Sequence, residues 1–157
     1  MKRREQGRQI ALQALYQLDL RGEEFGPQIV EFLRSSTDDP EVYFFGRRLT
    51  EGVWAWRAEA DRRIEQAAEH WRIDRMAPLD RNILRLATWE ICECPDIPPR
   101  VAIDQAIELA KRFSAAESGA FVNGVLDRIL RNVKGDEAAK AIREEGAAQE
   151  PDGGKMR

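Results

Sequence analysis

In residues 40–71, PEVYFFGRRLTEGVWAWRAEADRRIEQAAEHW, apolar side chains fall at Val42, Phe45, Leu49, Val53, Trp56, Ala60, Ile64, Ala67 and Trp71. The steps are threes and fours throughout, which puts these side chains on one face of a helix and excludes the alternation of a half-buried strand. One continuous helix of this extent would be roughly 45 Å long at 1.5 Å per residue, enough to join two lobes. Gly46 and Gly52 are the points where it would bend or end early. Upstream, Ser35-Ser36-Thr37-Asp38-Asp39-Pro40 supplies a start. Asp39 can cap the orphan N–H groups, and Pro40 takes the first helical position, where its missing donor costs nothing.

The same periodicity governs both flanks. Toward the N-terminus a helix is predicted from about Arg3 to Leu20, stopping at Gly22. It carries Ile10, Ala11, Ala14, Leu15 and Leu18 on one side and Gln9, Gln13 and Tyr16 on the opposite side. A short helix follows from Pro27 to Arg34, with Ile29, Val30, Phe32 and Leu33. Toward the C-terminus, Ala77-Pro78 restarts the chain into a helix over Asp80–Glu93, with Ile83, Leu84, Ala87 and Ile91 inward. Cys94-Pro95-Asp96-Ile97-Pro98-Pro99 ends it, since proline clashes and lacks a donor. The next helix, Arg100 to Phe113, buries Ile103, Ala106, Ile107 and Ala110. Ser114-x-x-Glu117 fits a capping box for the last core helix, in which Phe121, Val125, Ile129 and Val133 are in register and Gly124 allows a close helix approach. The fold class expected is therefore all-α: two small bundles of about seven helices in all, joined by a long central helix. Residues 1–134 make the folded domain, and the polar, Gly-rich residues 135–157 are expected to form a frayed helix and then a disordered tail.

Composition narrows the chemistry. With 157 residues, 43% hydrophobic and 34% charged, the chain suits one domain with a continuous core. No apolar run is long enough to cross a bilayer, and no apolar leader follows a charged start, so a reduced cytoplasmic location is expected. Cys92 and Cys94 have no second pair for a zinc site and the wrong spacing for a redox C-x-x-C. The single histidine, His70, leaves no nucleophile–base arrangement and reads as solvated or structural. Acidic pairs such as Glu23/Glu24 and Glu144/Glu145 read as solvated surface, and no Gly-rich phosphate loop is present. Neither enzyme activity, cofactor nor metal is expected. The net charge of −3 argues against binding nucleic acid over the whole surface, but residues 1–9 set Lys2, Arg3, Arg4 and Arg8 against Glu5 alone. That local patch suits a polyanion.

Three uncommon segments coincide in order. Arg8-Gln9-Ile10-Ala11-Leu12-Gln13-Ala14-Leu15-Tyr16 is the first, and Asp80-Arg81-Asn82-Ile83-Leu84-Arg85-Leu86-Ala87-Thr88-Trp89-Glu90 the second. The third runs through Ile97-Pro98, Val101-Ala102-Ile103-Asp104-Gln105-Ala106 and Glu108-Leu109-Ala110-Lys111-Arg112-Phe113 to Phe121-Val122-Asn123-Gly124-Val125-Leu126-Asp127. Together they resemble the NusB family of transcription antitermination factors over about residues 3–133.

The resemblance implies an all-α fold of two bundles that binds the boxA segment of ribosomal-operon leader RNA together with NusE, a small-subunit ribosomal protein. It also implies loading of an antitermination complex onto RNA polymerase, and a possible homodimer through the surface NusE uses. In physical terms, Arg3, Arg4 and Arg8 can track phosphates, while Gln9, Gln13 and Tyr16 offer amides and a ring to splayed bases. By motif match, Lys111, Glu117, Phe121 and Asn123 are expected to touch or flank the RNA in a common groove with the first helix. Tyr16 as a boundary residue and Phe121 as core are the competing readings. NusE is expected to meet Asp80, Arg81, Arg85, Trp89 and Glu90, with Glu93 adding negative charge toward a basic partner. Trp89 is either an anchor or core. Gly7 departs from the denser arginine starts of the family and costs about 1 kcal/mol of helicity relative to Ala, so the first turns are expected to order on RNA.

Three other classes compete. An accessory domain of an RNA cytosine methyltransferase would need an α/β cofactor domain, for which no residues remain. A helix-turn-helix repressor would need a basic recognition helix, whereas Arg100–Phe113 is near neutral. A structural dimer is separated by size-exclusion with and without NusE.

Overall fold

The computed structural model of the chain describes residues 2–145. Eight α-helices account for most of them, and no strand occurs among the described residues. The chain divides into two compact units, residues 2–55 and residues 56–145.

The first unit holds α1 (Arg3–Arg21), α2 (Ile29–Ser36) and α3 (Pro40–Ala55), with a 3₁₀ turn over Gly22–Gln28 between the first two. Helix α1 stops at Gly22, whose φ of 74° favours a residue without Cβ. Asp39 does cap α3, its Oδ1 accepting the Glu41 N–H at 2.9 Å. Ile10, Ala11, Ala14, Leu15 and Leu18 are all buried, as the periodicity requires, and pack toward α3 and α2 together with Leu33, Phe45 and Leu49.

Two glycines set how closely α1 and α3 approach. A Cβ at Gly7 would lie 2.6 Å from Phe45 Cδ2, and one at Gly46 would lie 2.6 Å from both Cγ1 and Cδ1 of Ile10. Gly46 is therefore not a bend, and Gly7 is not a frayed start: α1 is helical from Arg3. Arg3 fastens that start to α3 through Asp39 at 3.0 Å and Glu41 at 3.2 Å.

The long central helix is corrected to two helices. α3 ends at Ala55, Trp56 takes φ −100° and ψ 6°, and α4 covers Arg57–Ala67. Because the Ala60 N–H returns to the Trp56 carbonyl at 3.0 Å, the apolar spacing survives the break and periodicity cannot reveal it. Trp71 lies past the end of α4 and is exposed, not part of the stripe.

The second unit contains α4, α5 (Pro78–Glu93), α6 (Pro99–Phe113), α7 (Ser118–Lys134) and α8 (Asp136–Glu144). Helix α5 is its centre: residues 82–88 are all buried, and α4, α6 and α7 pack around it. On α7 Val125 and Ile129 are buried as expected, but Val122, Leu126 and Leu130 widen the stripe to one side, and Phe121 and Val133 are only half-buried. The capping box does not form. Ser114 Oγ donates to Asp80 Oδ1 at 2.5 Å and Ser118 Oγ to Asp80 Oδ2 at 3.1 Å, so both hydroxyls serve α5. Gly124 allows no close approach either, since a Cβ there would meet nothing within 4 Å. Helix α8 packs on α7 and α6 through Ala139, which is fully buried, whereas the expected tail included this segment; residues 146–157 lie outside the described residues. Both thiols are free, and burial pushes the Cys92 thiol above its ordinary pKa.

Candidate nucleic-acid interface

The outer face of α1 emerges as the periodicity predicts. Gln13 is exposed, and Gln9 and Tyr16 are half-buried, opposite the side that packs on α3. The three arginines are not equivalent, however. Arg3 is exposed but paired with Asp39 and Glu41, and the Arg4 guanidinium stands 4.6 Å from the centre of the Phe45 ring. Arg8 is 1% exposed, with its guanidinium 5.4 Å from the same ring. A side chain so buried cannot track solvent-exposed phosphates. Its place was readable from spacing, because Arg8 is in helical register with Ala11, Leu12 and Leu15.

The α6–α7 junction does not gather its four candidates on one surface. Lys111 and Glu117 are exposed, and Lys111 lies against Gly119 of α7. Phe121 and Asn123 are two residues apart on a helix and so point about 200° apart. Phe121 meets the Trp71 ring edge-to-face, with centroids 5.9 Å apart. Asn123 turns to α8, its Oδ1 accepting from Arg143 Nη2 at 2.7 Å. Trp71 was missed because the apolar stripe absorbed it.

The candidate protein-binding residues of α5 divide sharply. Arg85 is 7% exposed and grips Asp61 of α4 with Nε at 2.7 Å and Nη2 at 2.9 Å, while Nη1 donates to Asn82 Oδ1 at 3.1 Å. Glu90 is 1% exposed. Both are corrected from surface groups to interior ones, and the reason is that α5 is surrounded, so it has almost no solvent face. Asp80 is half-buried beneath Ser114 and Ser118. Arg81 is half-buried and donates to the Met76 carbonyl at 3.3 Å. Trp89 is half-buried and Glu93 exposed, so these two remain presentable.

Asp80→Ala is expected to cost about 1–3 kcal/mol, because the hydroxyls of Ser114 and the buried Ser118 lose their carboxylate acceptor and keep only each other, 3.0 Å apart. Thermal unfolding of Asp80→Ala and Ser118→Ala checks it, the serine variant being the milder.

The described residues include no cluster of His, Cys, Asp or Glu able to hold a metal, and no helix long and apolar enough to cross a membrane. Fold and surface together define an all-helical protein of two small bundles whose first helix turns an amide and phenol face outward. The NusB family model matches residues 5–131, and the chain belongs to that family. Transcription antitermination protein NusB of Symbiobacterium thermophilum is 43% identical over 140 residues, covering 84% of this chain and 92% of its own. T. maritima NusB superposes with a TM-score of 0.74 at 35% identity, covering 88% of this chain and 96% of that one. A crystal structure of antitermination factors NusB and NusE in complex with dsRNA matches with a TM-score of 0.72 at 30% identity, covering 81% of this chain and 95% of that one.

Proposed function

We propose that this chain is a non-enzymatic transcription antitermination factor of the cytoplasm that binds the boxA segment of ribosomal-operon leader RNA together with NusE. Bound in this way, it loads an antitermination complex onto RNA polymerase. The observation that carries the reading is the outer face of α1, where Gln9, Gln13 and Tyr16 stand clear of the core side while Arg3 and Arg4 lead the helix. Membership of the NusB family supports it, as does the solved NusB–NusE–dsRNA assembly of a relative.

In this reading Arg3 and Arg4 meet phosphates, and the exposed ion pairs of Arg3 exchange carboxylate for phosphate at little cost. Gln9 and Gln13 present amides to base edges, and Tyr16 presents its ring for stacking. Arg8 acts from below as a positioning residue against Phe45. On the other unit Lys111 and Glu117, exposed at the α6–α7 junction, and Phe121 flank the RNA, while Asn123 faces α8 and makes no contact with it. NusE meets Trp89, with Arg81 and Glu93 beside it on α5.

Titration of labelled boxA RNA with the chain, NusE and both together tests the proposal; the mixture is expected to bind more tightly than either alone, and equal affinity in all three overturns cooperative loading. Arg3→Ala/Arg4→Ala is expected to reduce the slope of log affinity against log salt by about 1.4, two single-strand phosphate contacts. Tyr16→Ala is expected to weaken binding about tenfold at unchanged slope. Trp89→Ala should lower NusE affinity and leave the far-UV circular dichroism intact.

A further inference from the structure

Trp71 stands outside the core although its spacing fits the core stripe. Helix α4 ends at Ala67, a turn returns the Trp71 N–H to the Ala68 carbonyl at 2.9 Å, and the indole is left 56% exposed. Its ring meets Phe121 at an interplanar angle of 71°. The two rings line an open cleft of about 350 Å³, in which small residues, Ala67, Ala120 and Gly124, leave room beside them. Arg128 of α7 is at its rim, paired with Glu69 across the cleft, the two side chains being 51% and 58% exposed.

We propose that this cleft is a stacking site for one unpaired nucleobase, which lies against Trp71 and Phe121 while its phosphate takes Arg128 from Glu69. The proposal rests on the RNA-binding reading above and adds a site and two residues, Trp71 and Arg128, to it. Three features select this occupant. An exposed indole beside a second ring offers the π surface on which bases of any identity stack. The small residues of the lining leave the open cleft accessible to a flat ring. The rim supplies the charge: a guanidinium binds phosphate in bidentate fashion, and its present carboxylate partner holds it only through an exposed pair. Glu69 is then a competitor that an incoming phosphate displaces.

Anisotropy of fluorescein-labelled single-stranded boxA leader RNA, titrated with the full chain in the presence of NusE, tests the site. Trp71→Ala is expected to weaken binding about tenfold with the salt slope unchanged, and Trp71→Phe to retain most of the affinity. Arg128→Ala is expected to reduce the slope by about 0.7, one single-strand phosphate contact. Glu69→Gln is expected to strengthen binding, a gain that a merely structural role would not produce. Because Trp71 is largely exposed, the thermal midpoint of Trp71→Ala should match that of the unaltered chain. RNA binding by the unaltered chain with Trp71→Ala and Arg128→Ala undiminished overturns this site alone. Absence of RNA binding by the unaltered chain overturns the functional reading and the site with it. Loss of NusE affinity in Trp71→Ala, with RNA affinity intact, assigns the cleft to a protein and overturns the proposal.

Discussion

Asp61→Ala is expected to destabilise the chain by about 3 kcal/mol, near the lower end of the range for breaking a buried ion pair. Asp61 holds Arg85 in bidentate fashion at 2.7 and 2.9 Å, and the arginine side chain is 8% exposed against 22% for the carboxylate. Most of the cost comes from the largely buried guanidinium that loses its carboxylate, not from the lost attraction, because a desolvated charge is costly once its counter-charge is removed. Two further variants separate those terms. Asp61→Asn keeps one acceptor and should lose less. Asp61→Leu/Arg85→Met removes both charges and should recover most of the stability, with urea midpoints moving at constant slope. A double variant as unstable as Asp61→Ala would show that packing, not charge, carries the effect.

Gly46→Ala comes next, with an expected loss of about 1–3 kcal/mol from overpacking, despite the gain of about 1 kcal/mol that Ala brings to a helix. The added methyl would meet Ile10 at 2.6 Å through two atoms and the Gly7 carbonyl oxygen at 3.3 Å. Ile10 is 7% exposed and β-branched, so it has few rotamers into which to retreat. Gly7→Ala should behave alike against Phe45, which is 1% exposed. Gly124→Ala provides the contrast. It lies on α7 with nothing within 4 Å of an added Cβ, so the propensity term stands alone and stability should rise by about 1 kcal/mol. Equal signs at Gly46 and Gly124 would refute the close crossing of α1 and α3.

The candidate interface was half legible in the residues. On α1, a two-sided helix of ordinary amphipathic pattern, opposite faces follow from 100° per residue, and Gln9, Gln13 and Tyr16 came out where the wheel put them. On α5 the same reasoning misplaced Arg85 and Glu90, because polar residues there were assigned to a solvent face that a surrounded helix lacks. Buried charges look identical in sequence to exposed ones. Asp61, which answers Arg85, lies 24 positions away on another helix, and no local spacing announces it. Trp71 erred in the opposite direction, its apolar character arguing for a core it does not join.

Local chemistry was sufficient to specify the helices, because capping, proline stops and 3.6-residue spacing act within a few residues. The Asp39-Pro40 start, the Gly22 stop and the helix ends near Glu93 and Phe113 follow from those short-range forces. Where a helix pauses for one residue at Trp56, which glycine marks a crossing and which charge lies inside depend on contacts between segments far apart in the chain. Those contacts are set by packing volume and desolvation, which exist only once the helices have come together.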